Sequence, residues 1–342
     1  MNHRLLGKTG LKVSELCLGT MTFGTRFLNI GVVDQAGANA MVARALEAGV
    51  NFFDTADIYS YGESEETLGR ALKETGVRRD AVVVATKVFA AMSSEAASGK
   101  SDWNNAGLTR QHIMLGCERS LRRLGTDYID LYQLHGWDLI TPVEEPLRAL
   151  EDLVRQGKIL YPGFSNWPVR HLMKALCLAE ARGWARCVSL QAYYSLAGRD
   201  LEHELLPLCR EEGVAVLPWS PLSGGYLSGK FRRGTPRPAG ARRTSFHFPP
   251  VDERVFDAVE ALEAVARERG ATVPQVALAW LLAQPGITSV IIGVNRMEQL
   301  GDNLGAAELR LTEAEVARLS ATTAPPVLYP QWMVERQNAG RR

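Results

Sequence analysis

Phe52-Phe53-Asp54-Thr55-Ala56-Asp57-Ile58-Tyr59 is a short apolar run that breaks into acids and a tyrosine. It reads as a buried strand leaving the core and delivering polar side chains at its carboxyl end. Asp54 stands where the strand stops and Tyr59 follows on the connection, before Gly62 and Glu63-Ser64-Glu65-Glu66 supply a turn and a helix start. In isolation the same letters also describe a surface loop with a capping acid and a packed tyrosine. The rest of the chain decides between the two.

Working outward, the pattern recurs. Towards the N-terminus, Leu5 to Val13 is a hairpin around Gly7-Lys8-Thr9-Gly10. The strand Leu16 to Leu18 follows, ending at Gly19-Thr20, and then a helix from Asp34 to Ala48. Towards the C-terminus, Val82 to Thr86 ends at Lys87, and a long loop from Phe89 to Leu108 leads to a helix capped by Thr109 and running to Leu124. Strand Ile129 to Leu134 ends at His135, and a helix from Pro142 to Gln156 has proline in its first turn. Strand Ile159 to Phe164 ends at Ser165-Asn166, helix Pro168 to Ala181 follows, and Val188 to Leu190 ends at Gln191. Helix Leu201 to Glu212 precedes strand Val214 to Leu217, which ends at Pro218-Trp219-Ser220. Helices Asp252 to Arg269 and Thr272 to Leu282, strand Ser289 to Ile292, helix Met297 to Leu304 and a helix from Thr312 to Ala321 complete the chain. Roughly eight strands, each followed by a helix, predict an α/β fold of the (β/α)8 TIM-barrel type, with an N-terminal hairpin and an additional C-terminal helix. No G-x-G-x-x-G follows the first strand, which weakens a doubly wound reading. No linker marks a second domain, so residues 1–342 read as one barrel domain, core about 14–322, with 323–342 as an extension.

Composition narrows the function. A net charge of +1 offers no global field for nucleic acid or an acidic membrane. The five cysteines form no C-x-x-C pair, which points to reduced thiols in a cytoplasmic protein rather than a disulfide framework or a zinc site. No apolar run reaches the roughly 18 residues of a membrane span. The partner is therefore a small molecule, with no nucleic acid, membrane or metal. The oligomeric state is not legible, because a closed barrel leaves no sheet edge to pair.

In a parallel barrel every strand ends on one face, and the chemistry sits there. That places Asp54 with Tyr59, Lys87, His135, Ser165-Asn166, Gln191 and Trp219 around a common mouth. A tyrosine is a poor acid near pH 7, but a nearby ammonium favours its phenolate and lowers its pKa. Asp54 would hold Lys87 charged, Tyr59 would give a proton to a forming alkoxide, and His135 would orient the same oxygen. The set has neither a nucleophile with an adjacent base nor clustered metal ligands. It supplies protons and positioning, so a cofactor must supply the electrons.

These motifs in this order resemble the aldo-keto reductase family along nearly the whole chain: Phe53-Asp54-Thr55-Ala56-Asp57-Ile58-Tyr59, Ala85-Thr86-Lys87, Asp130-Leu131-Tyr132-Gln133-Leu134-His135 and Gly163-Phe164-Ser165-Asn166. The resemblance implies a barrel that uses NADPH, less often NADH, in an extended conformation, and a catalytic tetrad falling on Asp54, Tyr59, Lys87 and His135. It further implies that Gly19 and Thr20 belong to the cofactor site. Ser165, Asn166 and Gln191 would bond the nicotinamide carboxamide, and Trp219 would stack on the ring. Ser220, Leu222, Gly224, Gly225 and Lys230 would line the pyrophosphate. Gly293, Arg296, Gln299 and Asn303 would hold the adenosine end, with Arg296 suited to a 2′-phosphate and so to NADPH. The implied reaction is reduction of an aldehyde or ketone, of the aryl aldehyde, sugar or keto-sugar class, to the alcohol. The alternative is a slow, cofactor-binding regulatory protein of the potassium-channel β-subunit type.

Four aromatics on loops after strands, Phe23, Phe89, Trp103 and Trp137, either line an apolar substrate pocket or cap the barrel. Lys230 to Arg243 carries six basic residues and no acid, a solvated loop or a flap over cofactor phosphates. Two departures from the family pattern bear on pocket geometry. Pro162 removes one ladder N–H and points to a bulge, and Tyr193 stands where relatives often carry a polar residue.

Overall fold

The computed structural model describes residues 1–25, 32–235 and 248–341. The predicted flap from 230 to 250 lies largely outside the described residues. Two short strands, β1 (His3–Leu5) and β2 (Lys12–Ser14), form the antiparallel hairpin. Then come β3 (Leu16–Gly19), α1 (Gln35–Glu47), β4 (Phe52–Asp54), α2 (Glu63–Glu74), β5 (Val83–Val88), the short α3 (Ser94–Ala97) and α4 (Arg110–Leu124). The second half continues with β6 (Ile129–Leu134), α5 (Glu144–Arg155), β7 (Ile159–Ser165), α6 (Val169–Arg182), β8 (Ser189–Tyr193), α7 (Leu205–Glu212) and β9 (Ala215–Trp219). It ends with α8 (Arg254–Arg269), α9 (Val273–Leu282), β10 (Val290–Gly293), α10 (Met297–Leu304), α11 (Glu313–Thr322) and α12 (Gln331–Asn338).

Strands β3 to β10 form one 8-stranded parallel sheet that runs in chain order from β3 to β9, with β10 paired to β3. The Thr288 N–H donates to the Val216 carbonyl at 2.9 Å, so the ends meet and the sheet is a nearly closed barrel. The helices surround it, giving the (β/α)8 architecture expected from the alternation.

The caps follow the sequence. Asp34, Thr109, Thr272 and Thr312 each accept a first-turn N–H, and the last two form complete capping boxes. Two helices depart from expectation. Pro142 precedes the helix, whose first turn is Glu144-Glu145, where acids meet the positive end of the dipole. The segment expected as one helix from Leu201 is broken at Glu204, and α7 begins at Leu205. Pro207 has no N–H to give an ongoing helix, so it sits in the first turn of a new one.

Inside the barrel, strand alternation builds two layers. Phe52, Val83, Ala85, Leu131, Ala215, Leu217 and Ile291 fill the lower layer with Cys17. Leu6 and Val13 of the hairpin join that cluster, and the Lys8 N–H donates to the Gly213 carbonyl at 2.9 Å. The hairpin therefore plugs the amino-terminal end of the barrel. Two residues further along the strands, the inward positions become Asp54, Lys87, Gln133, Gln191 and Trp219. A period of two has turned an apolar floor into a polar ceiling.

Pro162 produces no bulge. Pairing of β6 with β7 keeps one register through Tyr132–Pro162 and Gln133–Gly163. The Pro162 carbonyl accepts from the Val188 N–H at 3.0 Å, so its nitrogen faces the same neighbour ahead of the first residue of β8. No ladder partner is needed there.

Candidate active site

Lys87 is completely buried, and its ammonium has three acceptors. Its Nζ donates to Asp54 Oδ2 at 2.6 Å, to the Thr55 carbonyl at 2.8 Å and to the Tyr59 hydroxyl at 3.3 Å. The other Asp54 oxygen, Oδ1, accepts from Gln191 Nε2 at 2.8 Å and Gln133 Nε2 at 3.1 Å, and Gln191 also donates to Gln133 Oε1 at 3.3 Å. A buried ion pair is tolerated only when its remaining lone pairs and protons are matched, and this one is. Gly163 makes the room: a Cβ there would stand 2.6 Å from Ser189 Oγ and 3.0 Å from Gln133 Cγ.

Tyr59 projects from a turn held by its neighbours. Ser60 and Tyr61 both adopt left-handed backbone angles, φ 49° and 54°, a costly conformation for residues with a Cβ. The Ser60 hydroxyl donates to the Phe23 carbonyl at 3.1 Å, and Ser64 Oγ donates to the Thr20 carbonyl at 2.7 Å. The Tyr59 ring meets His135 edge-on, with centroids 5.8 Å apart.

The electrostatics differ in one respect from expectation. Burial raises the Tyr59 pKa, and the Lys87 ammonium opposes that rise without reversing it, so the phenol is a weaker acid than usual. For Lys87, burial favours loss of the proton, but Asp54 and Tyr59 outweigh it and hold the ammonium above its ordinary range. His135 is pushed well below its usual value by burial and by Lys87, so its imidazole is neutral.

A groove of about 1890 Å³ opens above this cluster. Asp54, Tyr59 and His135 line it, as do Gly19, Thr20, Ser165, Asn166, Gln191, Trp219, Ser220, Leu222, Gly224, Gly225, Lys230, Gly293, Arg296, Gln299 and Asn303. Lys87 lies behind them and reaches the groove through Tyr59. The shape suits a long ligand with phosphates. Gly224 and Gly225 take φ 63° and 101°, conformations that bare backbone to the groove, and a Cβ at Gly293 would touch nothing within 4 Å. Among the described residues Lys230, Arg267 and Arg296 line the groove without an ion pair, whereas Arg232 is tied to Glu263 at 2.9 Å.

The four aromatics do not line this groove. Phe23 is wholly buried in the core around the barrel, and Phe89 packs against that core. Trp103 is 71 % exposed on the loop after β5. Trp137 stacks on His171 at 3.7 Å and meets Trp167 edge-on. Where these side chains pack is a property of the assembled loops, which sequence position does not encode. Trp219 instead gathers the aromatics: Tyr193 tilts against it at 5.1 Å, Phe248 stacks near it at 5.4 Å, and its Nε1–H donates to Asn166 Oδ1 at 3.0 Å. Gln133 and Arg267 are the residues that sequence reasoning passed over. Gln133 had a signal, since it is the polar residue in line with Leu131 on a fully buried strand.

The aldo/keto reductase family model matches residues 15–324. The chain belongs to the aldo/keto reductase family. Within that family it is 40 % identical over 323 residues, 93 % of this chain and 94 % of the relative, to an uncharacterized oxidoreductase, YrpG, of Bacillus subtilis. It is 33 % identical to the versiconal hemiacetal acetate reductase of Aspergillus parasiticus, covering 96 % of this chain and 99 % of that one. It is also 34 % identical to a probable voltage-gated potassium channel subunit beta of Arabidopsis thaliana, over 90 % and 92 % of the two chains. As an aldo/keto reductase the protein is an oxidoreductase acting on carbonyl groups. No helix among the described residues is long and apolar enough to cross a membrane.

Proposed function

We propose that the protein reduces an aldehyde or ketone to the alcohol with NADPH, and that Tyr59 is the proton donor. The observation that carries this reading is the Tyr59 hydroxyl beside the Lys87 ammonium, 3.3 Å away, at the floor of a groove lined by glycines and by cations, Lys230, Arg267 and Arg296, that form no ion pair among the described residues. NADPH bound along the groove would supply the hydride. Ser165, Asn166 and Gln191 are suited to orient its carboxamide, with Gln191 already held by Asp54 and Gln133. Arg296, which lines the same groove as Arg267, is the candidate for the 2′-phosphate, because a guanidinium matches a phosphate fork.

The chain's own residues then handle the proton. A carbonyl oxygen placed between Tyr59 and neutral His135 receives two hydrogen bonds as its negative charge grows. Tyr59 gives up its proton there, and Lys87 stabilises the phenolate left behind. Asp54 keeps Lys87 charged and fixed throughout, so little has to reorganise during the transfer.

The test is tryptophan-fluorescence titration with NADPH and NADH on wild type and Arg296→Ala, followed by a carbonyl screen. A lost charge-assisted hydrogen bond, about 1.5–3 kcal/mol, would weaken NADPH roughly tenfold or more and leave NADH unchanged. Binding of neither nucleotide by folded protein would overturn the proposal. The plant relatives named as channel β subunits favour a second reading, a slow nucleotide-bound regulatory subunit. Tight nucleotide binding with no turnover across the screen would select it.

A further inference from the structure

Asp57 is 1 % exposed, and among the described residues neither carboxyl oxygen has a well-formed hydrogen bond, the neighbouring Ile58 N–H giving it only a weak one. A buried carboxylate in that position is too costly to persist unpaired. The nearby cation is already committed: Arg123 Nε donates to Glu65 Oε2 at 2.6 Å, while Glu65 Oε1 accepts from the Thr86 hydroxyl at 2.6 Å. Glu65 is itself fully buried. Glu65 thus holds the guanidinium, and Asp57, which feels Arg123 only through space, is the carboxyl that keeps its proton.

The location connects this group to the proton donor. Asp57 lies two residues before Tyr59 in the same strained turn. Its N–H donates to the Lys87 carbonyl at 3.2 Å, and Lys87 is the residue whose ammonium touches the Tyr59 hydroxyl. Arg123 closes the same turn, since a Cβ on Gly62 would meet its Cδ at 2.6 Å. The charged or titratable groups facing Asp57 are Glu65 from α2, Arg123 from α4, Lys87 from β5 and Tyr132 from β6.

We propose that Asp57 is a positioning residue for Tyr59, its enclosed carboxyl beside the Glu65–Arg123 pair setting how firmly the tyrosine keeps its proton. Protonated, Asp57 leaves the pull of Lys87 on the phenol unopposed from that side. As pH rises and Asp57 ionises, its negative charge makes the phenolate harder to form. Tyr59 then remains an acid at higher pH than it otherwise would. Burial, and then the charge of Glu65, hold Asp57 well above the ordinary carboxylate range in agreement with this arrangement, Arg123 only partly opposing them.

The role of Asp57 rests on Tyr59 being the proton donor, so the test reads the tyrosine directly rather than turnover. Protein carrying carbon-13 at the tyrosine ζ position is titrated by NMR, the Tyr59 resonance being identified by its loss in Tyr59→Phe. Asp57→Asn is expected to lower the Tyr59 midpoint by about half a pH unit, roughly threefold in proton affinity. Glu65→Gln, which removes the neighbouring negative charge and lets Asp57 ionise sooner, is expected to raise the midpoint, and the rise should vanish in the double variant. Coincident midpoints in wild type and folded Asp57→Asn would overturn the proposal, as would a Glu65→Gln shift that survives in the double variant. If Asp57→Asn does not fold, the carboxyl carbon-13 resonance of Asp57 in wild type decides: titration in the ordinary carboxylate range overturns the proposal, and retention of the proton through neutrality supports it. The tyrosine shift would appear even in a chain that reduced no carbonyl compound, which separates this proposal from the reaction it serves.

Discussion

Lys87 and Asp54 meet at 2.6 Å inside the barrel, with the lysine completely buried and the aspartate 2 % exposed. Removing either charge alone strands the other in a medium that cannot solvate it. Lys87→Met should therefore cost about 3–5 kcal/mol of stability, and adding Asp54→Asn should recover part of that loss. Denaturant midpoints of the two single variants and the double variant check this. Equal stability of Lys87→Met and wild type would contradict the buried pair.

Tyr59→Phe deletes one hydroxyl and leaves the groove intact. Turnover should fall by about two to four orders of magnitude, the usual contribution of a positioned general acid, while nucleotide affinity stays within about twofold of wild type. Steady-state kinetics beside fluorescence titration separates the two. Retained turnover would remove Tyr59 from the mechanism.

His135 carries a pH signature of its own. Its folded pKa is depressed by burial and by Lys87, so below the unfolded value of about 6.5 the unfolded chain takes up a proton that the folded chain refuses. The stability contribution is present above that pH and is lost as pH falls towards the depressed value. Thermal melts of His135→Gln should decline less steeply than wild type between about pH 6.5 and 5. Parallel curves would mean that His135 takes up protons equally in both states.

Gly163→Ala tests the packing behind the ion pair. The new Cβ would stand 2.6 Å from Ser189 Oγ and 3.0 Å from Gln133 Cγ, an overpacking that costs about 1–3 kcal/mol. Gln133 must move, and with it one of the donors to Asp54. Turnover should therefore drop by up to as much as it does in Gln133→Leu, which removes the same donor while Gln191 stays in place. A well-folded Gly163→Ala variant with unchanged turnover would show that Gln133 is not needed where it sits.

At the other end of the barrel, buried Glu15 joins the two termini of the fold. Its carboxylate accepts from Arg4 at 3.2 Å and from Arg310 at 3.3 Å. Glu15→Ala should lower stability by about 1.5–3 kcal/mol without altering the groove. A melting-temperature drop with unchanged nucleotide affinity is the expected pair of results.

Asp54, Lys87, His135 and Gln191 were legible because a strand's carboxyl end is written as an apolar run that stops at a polar letter. The residues beyond the strands were not. Trp103 and Trp137 occupy loop positions as favourable as that of Trp219, yet only Trp219 is the last residue of a strand, with its direction fixed by the pleat. Phe23 looked available because it follows a strand end, but a bridge to Val33 turns it into the core. The acidity of Tyr59 was also misjudged from its neighbours alone. An adjacent ammonium can be read from spacing, whereas the burial that outweighs it is a property of the assembled site.

The hairpin of β1 and β2 has a consequence for traffic. With Leu6 and Val13 stoppering one end of the barrel and Phe52 and Leu131 packed above them, nothing can pass through. Among the described residues, Tyr59 is reached from the long groove that runs from Gly19 to Asn303. If a nucleotide lies along that groove as proposed, it would form the floor on which a second molecule settles. Under the proposed function, the second molecule would then arrive after the nucleotide and leave before it, because the stopper at the far end offers it no other way in.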